Sequence, residues 1–202
     1  YGDCHPVAHI IGQETYKRSK NLEQTLAQCS NTCFDGCLHG ALGAAMVEQL
    51  DVEDPDIDLV HMEPERIETI GAKYCTGFAN MPLCHGIGHI LYSLTRDFKA
   101  ATKSCGVIAE GTLLDECLTG VYMQGVGGVS DSLVLGNKVP ALADMPDNDY
   151  GYPCSAIPRS APQNQHSCFK YLPPYQNILF AKNNIADPVE KRGFVKKNCE
   201  TL

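Results

Sequence analysis

The chain has 202 residues, a formal net charge of −8, 11 cysteines and no tryptophan. That length suffices to bury a sizeable core without outside help. The acidic balance argues against a nucleic-acid binder, whose affinity rests on Lys and Arg neutralising phosphates, and no apolar stretch is long enough to span a membrane.

Apolar spacing predicts helices in chain order. The first runs from Cys4 to Lys17, with Val7, Ile10 and Ile11 on one side, and breaks at Ser19-Lys20-Asn21. A short helix follows from Leu22 to Cys29. Gly36 to Leu50, with Leu38, Leu42, Ala45, Met46 and Leu50 in register, is the clearest amphipathic helix. The stretch Asp51 to Asp58, interrupted by Pro55, reads as a solvated acidic loop; it lacks the glycine turn and terminal glutamate of an EF-hand loop. Pro64 then starts a helix over Glu65 to Tyr74. Leu83 to Thr95, Asp97 to Cys105 and Leu114 to Gln124 follow as helices. From Gly125 to about residue 165, Gly, Pro, Asn and Asp cluster into a turn-rich insertion, a place to look for a binding face. Gln165 to Phe180 resumes a helical pattern broken at Pro173-Pro174, and Pro188 to Cys199 closes the chain as a basic, exposed helix. The expected fold class is all-α: disulfide-tied helical-hairpin repeats, solenoid-like. A repeat region over 1–124, the insertion over 125–165 and a repeat remnant over 166–202 form one continuous domain.

Two motifs share one offset. Cys4-His5 with His9 reappears as Cys84-His85 with His89, and Cys37-Leu38-His39-Gly40 reappears at the same distance along the chain as Cys117-Leu118-Thr119-Gly120. This shared offset points to an internal duplication.

The cysteine number implies either an oxidising compartment or a metal-thiolate protein. No two cysteines are separated by two residues, so the CxxC zinc and CxxCH haem signatures are absent and disulfides lead. The expected localisation is periplasmic, cell-surface or secreted. No initiator Met and no apolar leader are present, which implies an export signal already removed or a piece of a longer chain. Pairing each helix end with the next helix start joins Cys29 to Cys37, Cys75 to Cys84, Cys105 to Cys117 and Cys154 to Cys168. Cys4 and Cys199 are then left at the two ends, to meet within one chain or to link successive chains head to tail. Cys33 is left over, either buried as a free thiol or reactive. Reduced, Cys29, Cys33 and Cys37 with His39 would suit copper(I) or zinc, and Cys33 with His39 could serve as nucleophile and base.

The element Cys29-x7-Cys37 followed by Leu38-His39-Gly40-Ala41-Leu42-Gly43 resembles the disulfide-tied helical hairpins of the cysteine-rich Sel1-like repeat proteins secreted by bacteria. The resemblance covers this element and implies architecture; no functional residue is carried over from it.

His5 and His9, like His85 and His89, are four apart, which places each pair on one helix face and suits two imidazoles to one metal ion. No glutamate follows the first histidine of either pair, so the metalloprotease pattern is not met. With His39 as a fifth candidate, facing pairs would suit copper, zinc or a haem iron. No nucleophile elbow, phosphate loop or dinucleotide fingerprint occurs, so no enzyme is expected. The first functional reading is an exported structural or interaction module without a resident cofactor. It binds protein, self-association through Cys4 and Cys199 included. The alternative is an extracytoplasmic metal- or haem-binding protein using His5, His9, His39, His85 and His89.

Overall fold

The computed structural model describes residues 4–30, 33, 35–51, 64–76, 81–127, 149 and 151–200. Among these all the regular secondary structure is helical, with no strand. The helices are α1 (Cys4–Ser19), α2 (Leu22–Gln28), α3 (Gly36–Gln49), α4 (Pro64–Tyr74), α5 (Met81–Thr95), α6 (Phe98–Ile108), α7 (Gly111–Gly127), α8 (Pro162–Lys182) and α9 (Pro188–Glu200), with a 3-10 turn at Cys154–Ala156. The acidic loop beyond Asp51 and most of the turn-rich insertion lie outside the described residues. Within that insertion, however, α7 continues through Gly125 to Gly127, because Gly125 is packed against Phe98 and Tyr92. The prolines 173 and 174 do not break α8, which runs on to Lys182. Leu172, Leu179 and Phe180 are buried in one apolar cluster on either side of them, together with the disulfide-bonded Cys168.

Five helices lie side by side in the order α1, α3, α5, α7, α8, while α2 covers α1 and α3, α4 covers α5 and α6, and α6 covers α5 and α7. α1 and α3 run in the same direction. Cys4 at the start of α1 bonds Cys33 just ahead of α3, and Lys20 beyond the end of α1 pairs with Glu48 near the end of α3 at 2.7 Å. α5 and α7 also run together: His85 lies beside Thr119, and four residues on His89 bonds Gln124. Sandwiched between α3 and α7, α5 is buried from Gly86 to Leu94 without interruption. This is the behaviour expected of a helix that is apolar on every side.

The same local geometry occurs in α1–α2 and in α5–α6. Tyr16 and Tyr92 are both buried, and Lys20 and Arg96 both take left-handed φ, 52° and 54°. Asn21 and Asp97 then cap α2 and α6 with their side chains, accepting from the backbone N–H of Gln24 and of Lys99 and Ala100. Asp97 is therefore a cap and not the first helical residue. At the α1–α3 crossing a Cβ on Gly12 would fall on the carbonyl oxygen of Cys37, and one on Gly40 on that of His9. At the α5–α7 crossing Gly88 meets Cys117 and Gly120 meets His85 in the same way. Between α3 and α7 the matching positions, Cys37 with Cys117 and Gly40 with Gly120, thus keep the offset of the sequence motifs. Between α1 and α5 they fall about one helical turn short of it, Gly12 matching Gly88 and Tyr16 matching Tyr92, so His9 corresponds to His85. That slip equals the difference between the Cys29–Cys37 separation of 8 and the Cys105–Cys117 separation of 12.

Cys75–Cys84 and Cys154–Cys168 are also bonded, which makes five disulfides among the described residues. Cys4 pairs with Cys33 in place of the expected Cys199, because parallel packing brings the start of α1 onto the connector before α3. A link through Cys4 to a neighbouring chain, whether for a filament or for the self-association expected above, therefore has no free thiol at that end. The thiolate-metal and nucleophile readings also fall. Cys29, Cys33 and Cys37 are all oxidised, and they do not share a helix, since α2 ends at Gln28 and α3 begins at Gly36.

Candidate metal centre

The two glycine crossings fix the site. With only hydrogen at Gly40 and Gly120, the backbones touch at His9 and His85, and the side chains next to each contact emerge together. The result is a cluster of His5 and His9 from α1, His39 from α3, and His85 and His89 from α5. Ring centroids of neighbours are 4.6 Å apart for His5–His9, 4.8 Å for His85–His89 and 5.2 Å for His39–His85. His39 is central, at 5.5 Å from both His5 and His9 and 5.3 Å from His89. One ligand nitrogen each from His5, His39 and His89 lie within 4.8 Å of one another. Four of the five are buried; His85 keeps 13% of its side chain exposed.

Hydrogen bonds set the tautomers. His5 Nδ1–H donates to the Cys33 carbonyl at 2.6 Å, and His89 Nδ1–H donates to Gln124 Oε1 at 2.6 Å. Thr119 spends its own hydroxyl hydrogen on the Glu116 carbonyl at 2.8 Å, so its oxygen accepts from His85 Nδ1–H at 3.0 Å. In a neutral imidazole, a proton on Nδ1 leaves a lone pair on Nε2. His5, His85 and His89 therefore all carry an unprotonated Nε2, that of His5 accepting from His9. Such outer partners orient metal-binding histidines and raise their basicity. His9 Nε2–H donates to His5 Nε2 at 2.9 Å, leaving its own Nδ1 bare.

His9, His39, His85 and His89 resist protonation. Burial, with the charge of His89 and His5, pushes His9 down to about 2. Burial also lowers His89 to about 4, against the Gln124 hydrogen bond that favours its charged form. His39 and His85 are held well below the usual imidazole value, first by burial and then by neighbouring imidazoles. At neutral pH these are uncharged donors.

Four buried ring nitrogens have no hydrogen-bond partner: His9 Nδ1, both nitrogens of His39, and His89 Nε2. Leaving one such atom unsatisfied costs ~1–3 kcal/mol, so four in one cluster are a large unmet demand. A metal ion satisfies lone pairs, and an all-imidazole set suits copper, zinc, nickel or iron. Sequence spacing named these five histidines but not Gln124, Thr119 or the Cys33 carbonyl. Gln124 did leave a signal: it is a polar residue in line with Cys117 and Val121 on the buried stripe of α7. Compared with family models, with curated proteins and with solved structures, the chain matches none.

Proposed function

We propose that this is an extracytoplasmic, disulfide-tied helical repeat protein that binds a first-row transition-metal ion at its five-histidine centre. The observation that carries the reading is the convergence of five imidazoles, four of them buried, with four unpartnered ring nitrogens. Neutral imidazole donors held by fixed Nδ1 partners favour copper or zinc over oxygen-seeking cations. Ring centroids only 4.6–6.1 Å apart argue for a compact ion over haem, since a macrocycle needs a slot between its axial ligands. Five disulfides favour an oxidising compartment, and among the described residues no helix is long and apolar enough to cross a membrane. The matched geometry of α1–α3 and α5–α7 is what a duplicated unit would leave behind.

The test is metal analysis of oxidised protein, stripped with a chelator and then offered copper(II) or zinc(II). Stoichiometric uptake, lost in His89→Gln, is expected. A folded wild-type chain that takes up neither ion overturns the reading.

A role as an interaction module is the second reading, favoured by one observation. Val7, Ile10 and Ile11 lie exposed at 53%, 43% and 55% on α1, the first helix of the row. Val7→Ser with Ile11→Ser should then abolish any self-association seen by sedimentation.

A further inference from the structure

We propose that the centre holds two ions, bridged by His39 as an imidazolate, one shared with His5 and His9 and the other with His85 and His89. This rests on the metal-binding reading above and goes further by fixing the number of ions and the role of one residue. Among the five histidines, His39 is the one whose two ring nitrogens are both buried and unpartnered. A neutral imidazole has one lone pair and one N–H. A single ion on the lone pair would leave the N–H stranded in the core. Two ions satisfy both nitrogens, provided that the N–H bond breaks, its proton leaves to solvent, and the freed electron pair forms the second N–metal bond. The imidazolate then carries one negative charge between the cations.

The placement of the other rings fits. His39 sits between the α1 pair and the α5 pair, with centroids 5.2–5.5 Å from all four. His5 Nε2 and His9 Nε2, one helical turn apart, are 2.9 Å from each other. Two nitrogens bound to one ion at roughly 2.0–2.1 Å each would stand about this far apart at a near-right angle. When the ion replaces their hydrogen bond, the His9 proton moves to Nδ1 or His9 binds through Nδ1, its bare atom. On the other side His85 and His89 both offer bare Nε2 atoms. Each flank also has a carboxylate at hand to offset cationic charge: Asp35 within the field of His5, and Glu116 Oε2 3.7 Å from His85 Nδ1. Lys170, which also acts on His85 and Glu116, is the opposing charge on that side.

Titration of the full oxidised chain with copper(II) alone tests this, read by native mass spectrometry and by electron paramagnetic resonance. Two coppers per chain are expected, with most of the spin signal lost as the second binds, because an imidazolate couples the two spins antiferromagnetically. Acidification should split the bridge and restore the signal before copper is released. His39→Gln, checked for folding by circular dichroism, should show only uncoupled copper. His85→Gln weakens one flank alone and should leave one tightly held ion with a full signal. One copper per chain, or two with full spin intensity, overturns the bridge while leaving the metal-binding reading intact. No copper at all overturns the bridge, and refusal of zinc(II) as well overturns the metal-binding reading.

Discussion

Replacing Gly40 by alanine tests the crossing on which the site depends. The added Cβ would fall on the His9 carbonyl oxygen, with the His9 carbonyl carbon and Cα each 2.7 Å away, closer than real Cβ contacts come. All three atoms are backbone, so α1 itself has to move. The Cys4–Cys33 and Cys29–Cys37 bonds limit how far it can go. Overpacking of this kind costs ~1–3 kcal/mol, and rigid backbone on the far side argues for the upper end. Alanine regains about 0.8–1.0 kcal/mol of helix propensity. The net loss is about 2 kcal/mol, which for a chain of this size lowers Tm by roughly 4–8 °C. Gly106→Ala is the control, since a Cβ there meets nothing within 4 Å and should raise stability by about 1 kcal/mol. Thermal unfolding of the oxidised proteins, followed by circular dichroism, reads both. Because α1 carries His5 and His9, metal affinity should fall along with stability in Gly40→Ala. Equal stability of the two variants would mean that α1 and α3 do not touch at Gly40, and the account of how the histidines are brought together would fail.

Three further outcomes are expected. Gln124→Leu removes the acceptor that fixes the His89 tautomer and should weaken metal binding by about 10- to 100-fold in a chelator competition, with little change in helix content. Stability of the metal-free protein should fall as pH drops from about 6.5 toward 4, because the unfolded chain takes up protons at its histidines while His89 near 4 and His9 near 2 stay neutral in the fold. His89→Gln should flatten that slope in pH-dependent denaturant titrations, and an unchanged slope would refute the assignment. Cys33→Ser should cost ~3.5 kcal/mol by opening a loop of 29 residues, and peptide mapping of the oxidised wild type should recover Cys4 joined to Cys33.

Much of the fold was legible because helix signals are local. Asn21, Asp97 and Pro64 mark helix starts by their own chemistry, and the stripe Leu42, Met46, Leu50 predicts a buried face that the core contains. The helix through Pro173-Pro174 was not legible, since buried residues on both sides outweigh a local penalty that the sequence shows plainly. The one-turn slip between α1 and α5 was hidden for a different reason. Each histidine pair is spaced by four, so shifting the alignment by four still lays one histidine on another, His9 on His85. The tyrosines, the left-handed Lys20 and Arg96, the Asn21 and Asp97 caps, Cys29 with Cys105, and the glycine contacts distinguish the two alignments. Cys33 was misplaced because its partner depends on helix direction, which spacing does not encode. Gln124 and Thr119 lie 35 and 34 residues from the rings they orient, so no local pattern ties them together.

Every helix that supplies an imidazole has a cystine in its first turn: Cys4 beside His5, Cys37 two residues before His39, and Cys84 beside His85. The ligand constellation is thus clamped at one end by bonds that form only where thiols are oxidised. Ordering in time follows from that arrangement. A nascent chain in a reducing cytosol would offer scattered imidazoles of low affinity, and capture would await oxidative maturation. If the centre binds metal as proposed, its ion would be drawn from the compartment in which these bonds form.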